Sequence, residues 1–124
     1  MIQRSTKLIV SDNSGAKKVQ TINLLKKNKK NRATIGDVIV ISVKKANPKQ
    51  RSKAVAGNVY KAVITETKKK VTRKDGTNFK SDRNVAILLN TQNTPIGSRI
   101  SGFVSYELKK KRYSKIISLA STSI

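Results

Sequence analysis

The sequence predicts a mainly β fold: five short strands forming a small barrel or sandwich, with a projecting β-ribbon and short C-terminal helices. Three observations carry this reading. Five apolar runs rich in β-branched residues recur along the chain, each about as long as a strand. Turn residues separate them, which is the punctuation of a compact all-β architecture. After Gly102 the pattern changes to helix formers with apolar residues at close spacing.

The runs are Leu8-Ile9-Val10 and residues 19–25, 38–43, 59–64 and 85–89. Ser11-Asp12-Asn13-Ser14-Gly15 reads as a turn after the first, and Ile35-Gly36-Asp37 opens the third. Thr21-Ile22-Asn23-Leu24 alternates, as in a half-buried strand, whereas Val38-Ile39-Val40-Ile41 does not and reads as buried on both faces. Asp75-Gly76 reads as a hairpin tip. Its flanks, residues 65–73 and 77–83, are polar and offer no apolar face to a core, so residues 65–83 read as a ribbon projecting from the barrel. Such a ribbon is marginal in water alone and is expected to order against phosphate. Ser105 is an N-cap for a helix over 105–112, and Ile116, Ile117, Leu119 and Ala120 mark a second helix over 115–120. The 124 residues fit one domain, with a barrel part of about 1–104 and a helical part of about 105–124.

Charge dominates the composition. Twenty-eight Lys and Arg stand against six Asp and Glu, a net charge of +22. Self-repulsion of this size works against a compact state, and a polyanion relieves it by exchanging condensed counterions for protein charge. Basic clusters occur at residues 26–32, at Lys44-Lys45, at residues 49–53, at Lys68-Lys69-Lys70, at Arg73-Lys74 and at residues 109–112. Any one of them reads equally well as a solvated loop; six in one domain read as a nucleic-acid binder. A membrane partner is not expected: no stretch approaches the roughly 18 apolar residues of a span, and the basic residues are not gathered on one amphipathic helix. Only five aromatics are present, too few for serial base stacking, so phosphate and 2′-hydroxyl contacts to a folded RNA fit better.

Catalysis is not expected either. The chain has no Cys and no His, which excludes disulfides, Cys/His metal sites and imidazole acid–base chemistry. The carboxylates Asp12, Asp37, Glu66, Asp75, Asp82 and Glu107 form no metal-binding or acid–base pair by spacing, and no phosphate-cradling glycine loop is present. No cofactor is called for. Met1-Ile2-Gln3 leads straight into a strand-like run, so no targeting peptide is expected.

Ordered short motifs then become decisive. They are Met1-Ile2-Gln3, Asp12-Asn13-Ser14-Gly15-Ala16-Lys17, Ile35-Gly36-Asp37-Val38-Ile39-Val40, Lys61-Ala62-Val63-Ile64, Thr67-Lys68-Lys69, Arg73-Lys74-Asp75-Gly76, Pro95-Ile96-Gly97-Ser98-Arg99-Ile100, Glu107-Leu108 and Lys115-Ile116-Ile117-Ser118-Leu119-Ala120. In order, spacing and total length the chain resembles the universal large-subunit ribosomal protein L-fourteen family, in its bacterial or organellar form. The resemblance implies a five-stranded β-barrel with a ribbon and small C-terminal helices. It implies binding to large-subunit ribosomal RNA, a share in bridges to small-subunit ribosomal RNA, contacts with neighbouring ribosomal proteins, and docking of a ribosome-silencing factor. The RNA contacts it points to are Lys44, Lys45, Lys49, Arg51, Lys53, Lys68, Lys69, Arg73, Lys74 and Arg99. The protein interface it points to is Ser98, Arg99, Lys109, Lys110, Lys111, Arg112 and Lys115. Glu66, Lys74, Phe103, Tyr106 and Ser121 depart from the family pattern, and the first and fourth replace basic residues at expected contacts. The excess of Lys over Arg, 21 to 7, with frequent Ile and Asn, suggests an AT-rich genome. That favours an organelle-encoded protein of the mitochondrial ribosome; a bacterial cytoplasm or a plastid is the alternative. Two rival readings remain: a free RNA chaperone with an oligonucleotide-binding barrel, and a module that binds an acidic protein.

Overall fold

The computed structural model describes residues 2–25, 32–46, 54–105, 107–108 and 114–123. The strands are β1 (Lys7–Val10), β2 (Ala16–Leu24), β3 (Val38–Ala46), β4 (Val59–Glu66), β5 (Val71–Thr72), β6 (Asn78–Phe79), β7 (Val85–Leu89) and β8 (Ile100–Val104); helix α1 (Ser114–Leu119) runs into β9 (Ala120–Ser123). Strands β1, β2, β3, β4 and β7 close into a barrel in that order. Every pairing in it is antiparallel except the closure, where β1 runs parallel to β7 with Ile9 opposite Val85. All five predicted strands are therefore present, and the predicted mainly β fold resolves to a barrel rather than a sandwich.

Side-chain alternation divides the core in two. On β4 and β7, Ala62, Ile64, Ala86 and Leu88 belong to a cluster with Leu8, Val19, Ile39 and Ile41, which fills the barrel. The intervening Val63, Ile87 and Leu89 belong to a second cluster with Ile100, Val104, Leu108 and Ile116. Strand β7 is thus buried at all five residues, because β8 and the C-terminal segment cover its outer face. The expectation of two-sided burial at residues 38–41 is corrected in detail. Ile39 and Ile41 are inside, but Val38 and Val40 are only half-covered, because among the described residues no second layer packs over most of β3.

The alternation read at 21–24 is also corrected. Thr21 is buried while Ile22 is 46% exposed, and a register shift between Thr21 and Asn23 interrupts the ladder. A β-bulge turns consecutive residues to new faces, which period-2 counting cannot anticipate.

The ribbon is present as β5 and β6, with Val71 opposite Phe79. Arg73 N–H donates to Thr77 O at 2.8 Å and Gly76 N–H to Arg73 O at 3.0 Å, which builds the Asp75-Gly76 tip. Its base is better buried than its polar sequence indicates: Thr65, Glu66 and Thr67 are buried, and Val71 and Phe79 pack on the second cluster. Of the two expected helices, the second forms as α1. In the first, Glu107 and Leu108 are helical, and Ser105 before them is buried and non-helical, its carbonyl accepting from the Leu108 amide at 3.2 Å; Tyr106 and Lys109 to Arg112 lie outside the described residues. Strand β9 pairs parallel with β8, Ile100 opposite Ala120 and Val104 opposite Ser123. The polar Ser121-Thr122-Ser123 run carries no apolar alternation that would announce it.

Ile87→Ala and Leu88→Ala each delete a fully buried side chain, one from each cluster. Each is expected to cost about 2–5 kcal/mol in chemical denaturation, whereas Ile22→Ala is expected to stay within about 0.5 kcal/mol.

Candidate nucleic-acid interface

The first group of basic residues lies where β2 meets β3. Lys44 and Lys45 are both exposed at the end of β3, and Lys17 and Lys18 are both exposed on β2. Register shifts at Ala16/Lys18 and Lys18/Val19 allow two successive residues on each strand to face solvent, which a regular pleat forbids. Lys18 stands directly opposite Lys45. Like charges in this relation destabilise a sheet, so the patch favours an anion over it. Lys17 and Lys18 were not among the expected contacts. Only the strand register brings them beside Lys45, and spacing along the chain does not reveal it.

The second group follows β4. Lys68 and Lys69 are exposed, and the Lys68 amide donates to Asn84 Oδ1 at 2.9 Å. Lys74 is exposed at the ribbon tip. There hydrogen bonds from the Thr77 hydroxyl and amide hold the Asp75 carboxyl below its ordinary range. Arg73 is placed differently. It is half-buried, its Nε donates to Glu107 Oε1 at 2.9 Å, and its guanidinium lies 4.7 Å from the Phe79 ring centroid. It ties the ribbon to the C-terminal segment through an ion pair and a cation–π contact. For Glu107, burial pushes the carboxyl up, but bonds from its own amide and from Arg73 pull it net below the usual value of 4.5.

The third group is the loop carrying Ser98 and Arg99, both exposed. Asn13 builds it. Its Oδ1 accepts from the Ser98 amide at 2.7 Å and the Arg99 amide at 3.2 Å, and its Nδ2 donates to Ser98 Oγ at 2.9 Å. Gly97 is required beneath, since a Cβ there lies 2.7 Å from Asn13 Oδ1. The neighbouring Asp12 accepts from Ser14 and from the Leu88 amide. Burial nonetheless pushes its carboxyl above 3.8. These bonds fasten the first turn to β7 and to the 97–101 segment. The expected site residues Lys49, Arg51, Lys53, Lys109, Lys110, Lys111 and Arg112 lie outside the described residues, and Lys115 is exposed on the first turn of α1.

Two departures from the family pattern gain a structural meaning. Glu66 is 1% exposed, accepts from Ser81 Oγ at 2.8 Å, and faces Arg83 Nη2 at 3.4 Å. It therefore does not put a negative charge on the surface. Phe103 is half-buried on β8 beside Lys68 and Lys80. Among the described residues no group of three or more acidic side chains converges as a metal site.

The family model for ribosomal protein L14p/L23e matches residues 1–124, the whole chain. The chain belongs to the ribosomal protein L14p/L23e family. Its class is accordingly that of a structural constituent of the large ribosomal subunit, a non-enzyme class, and its place is the ribosome. In this L14p/L23e protein the barrel is closed, and the described basic residues sit mainly at strand ends and in connections.

The Arg73–Glu107 pair generates a pH prediction. A carboxyl held low in the fold contributes stability above its unfolded value, and that contribution disappears as pH falls through the folded value. The contact is expected to persist at pH 4.5 and break below it. The check is the Arg73 Nε–H signal in NMR titration, which is expected to lose this pH dependence in Glu107→Gln.

Proposed function

We propose that this protein holds large-subunit ribosomal RNA as a scaffold and contributes to bridges to small-subunit ribosomal RNA, bringing no chemistry of its own. The observation that carries the reading is the cross-strand meeting of Lys18 and Lys45, with Lys17 and Lys44 exposed alongside. Four cations on a rigid sheet are unfavourable alone and favourable against converging phosphates. Lys68, Lys69, Lys74 and Arg99 extend the basic surface, with Lys49, Arg51 and Lys53 assigned to it by family resemblance; Arg73 supports the ribbon from behind. Ser98, Arg99, Lys109, Lys110, Lys111, Arg112 and Lys115 are assigned by family resemblance to contacts with neighbouring ribosomal proteins and a ribosome-silencing factor. The Lys-over-Arg bias supports a mitochondrial ribosome.

Sedimentation of source lysate through a high-salt sucrose gradient, followed by mass spectrometry, tests the assignment. Stoichiometric recovery with the large subunit is expected; recovery at the top of the gradient identifies a free RNA-binding protein instead. In the same gradients, subunits carrying Arg99→Glu with Lys111→Glu are expected to lose the silencing factor, and full retention removes that docking surface.

With isolated RNA, neutralising roughly 6–10 phosphates predicts a drop in affinity of about 10³–10⁵-fold between 50 and 200 mM salt. Lys18→Ala should separate binding from folding. It is expected to flatten the salt slope by about 1 while stabilising the free protein by about 0.2–1 kcal/mol. A variant with unchanged salt slope takes the β2–β3 patch out of the interface.

A further inference from the structure

A groove of about 600 Å³ is lined by Lys68, Lys80, Ser81, Asp82 and Phe103, within the range of small-ligand sites, about 300–1,000 Å³. We propose that this groove is a single-nucleotide site on RNA, in which the Phe103 ring stacks one unpaired base while Lys68 and Lys80 hold the phosphates on either side. The proposal rests on the RNA-scaffold reading and adds a base contact to what is otherwise a phosphate-only surface.

The chemistry of the lining favours this ligand over a bare anion. Lys68 and Lys80 are exposed, and they line the groove together with the half-buried Phe103. A free phosphate engages the two ammonium groups and leaves the ring unused. A nucleotide uses all three, and stacking on an aromatic tolerates any base. Asp82, exposed in the same lining, repels any phosphate from its own wall. It accepts instead from the amino group of a base edge, which favours adenine, cytosine or guanine over uracil. One such platform does not make a single-strand channel; it captures one extruded nucleotide of a folded RNA.

The walls are fixed before any ligand arrives. Ser81 N–H donates to Thr67 O at 3.0 Å, and the Lys68 amide is held by Asn84. Below them the buried Glu66 carboxylate accepts from Ser81 Oγ at 2.8 Å and faces Arg83 Nη2 at 3.4 Å. Phe103 is set by pairing of β8 with Thr122 of β9. At Gly102, φ is +77°, and a Cβ there lies 3.0 Å from Arg83 Nη2. The glycine lets β8 approach the Glu66–Arg83 pair closely enough to bring Phe103 into the groove. A site so held loses little conformational freedom on binding.

The test compares two probes on the full-length protein: an eight-nucleotide oligoadenylate and a ribose-phosphate chain of the same length without bases. Wild-type protein is expected to prefer oligoadenylate by about 5- to 150-fold, the effect of one base–aromatic stack. Phe103→Leu is expected to abolish that preference with its circular dichroism unchanged, Phe103→Tyr to keep it, and Lys68→Ala with Lys80→Ala to weaken both probes. Absence of a preference in the wild type, or a preference that survives in Phe103→Leu, overturns the nucleotide site. So does polyglutamate binding as tightly as oligoadenylate, which identifies an acidic-protein site. If the baseless chain still binds with a steep salt dependence, only the nucleotide site falls. If neither chain nor a folded ribosomal RNA fragment binds, the RNA-scaffold reading falls with it.

Discussion

Strands β4 and β7 are the two-sided centre of this molecule, and the other elements are arranged to cover them. Their inward residues, Ala62, Ile64, Ala86 and Leu88, meet the barrel interior, and their outward residues, Val63, Ile87 and Leu89, meet β8, Leu108 and α1. A five-stranded barrel has a narrow interior, so small and branched aliphatic side chains suffice to fill it, and the 4% aromatic content is no handicap. The second layer supplies the burial that the barrel interior alone lacks. A chain of net charge +22 needs that apolar gain to hold a compact state.

The acids are placed so that they barely oppose the basic field. Asp12, Asp37 and Asp75 bond to backbone amides or hydroxyls in their own turns. Glu66 and Glu107 face Arg83 and Arg73. Five of the six carboxylates are therefore engaged in holding the fold, and Asp82 is the exposed acid in the groove beside Phe103. The Lys side chains of the described strands and loops mostly point into solvent. With Asp75 and Asp82 the only exposed acids and the described lysines all exposed, the surface potential is predominantly positive, which attracts and orients a polyanion over a distance set by the Debye length.

Much of the fold was legible because the barrel strands are apolar, β-branched and separated by recognisable turns, as at Ile35-Gly36-Asp37 and Asp75-Gly76. What escaped was structure made by backbone or by polar groups. Strand β9 carries Ser, Thr and Ser, and it forms because β8 offers an edge. Residues 65–67 look like ribbon and are buried, because Thr65 Oγ1 donates to Val85 O and Glu66 has Ser81 and Arg83 as partners. The site was legible as chemistry but not as geometry. Charge counting predicts a polyanion binder and includes Lys45 among its contacts, but only register places Lys18 opposite it. Composition lists Arg73 with the other cations, and only the packing shows it between Glu107 and Phe79.

Glu66 shows how the same residue reads differently at the two levels. Along the chain it replaces a basic residue near an expected contact and looks like a lost phosphate partner. In the fold, its carboxylate lies under the ribbon base, where Ser81 and Arg83 supply the hydrogen bonds that a buried charge requires. Removing Arg83 or Ser81 leaves that charge less satisfied, which is the costly way to break such an arrangement. The ribbon is therefore fastened by polar groups beneath it as well as by Val71 and Phe79 at its side. A ribbon anchored this way does not need apolar residues on its outer face, which stays free to carry Lys68, Lys69, Lys74 and Lys80. Polarity that makes an isolated hairpin marginal is in this position what leaves the ribbon's outer face basic and open to solvent.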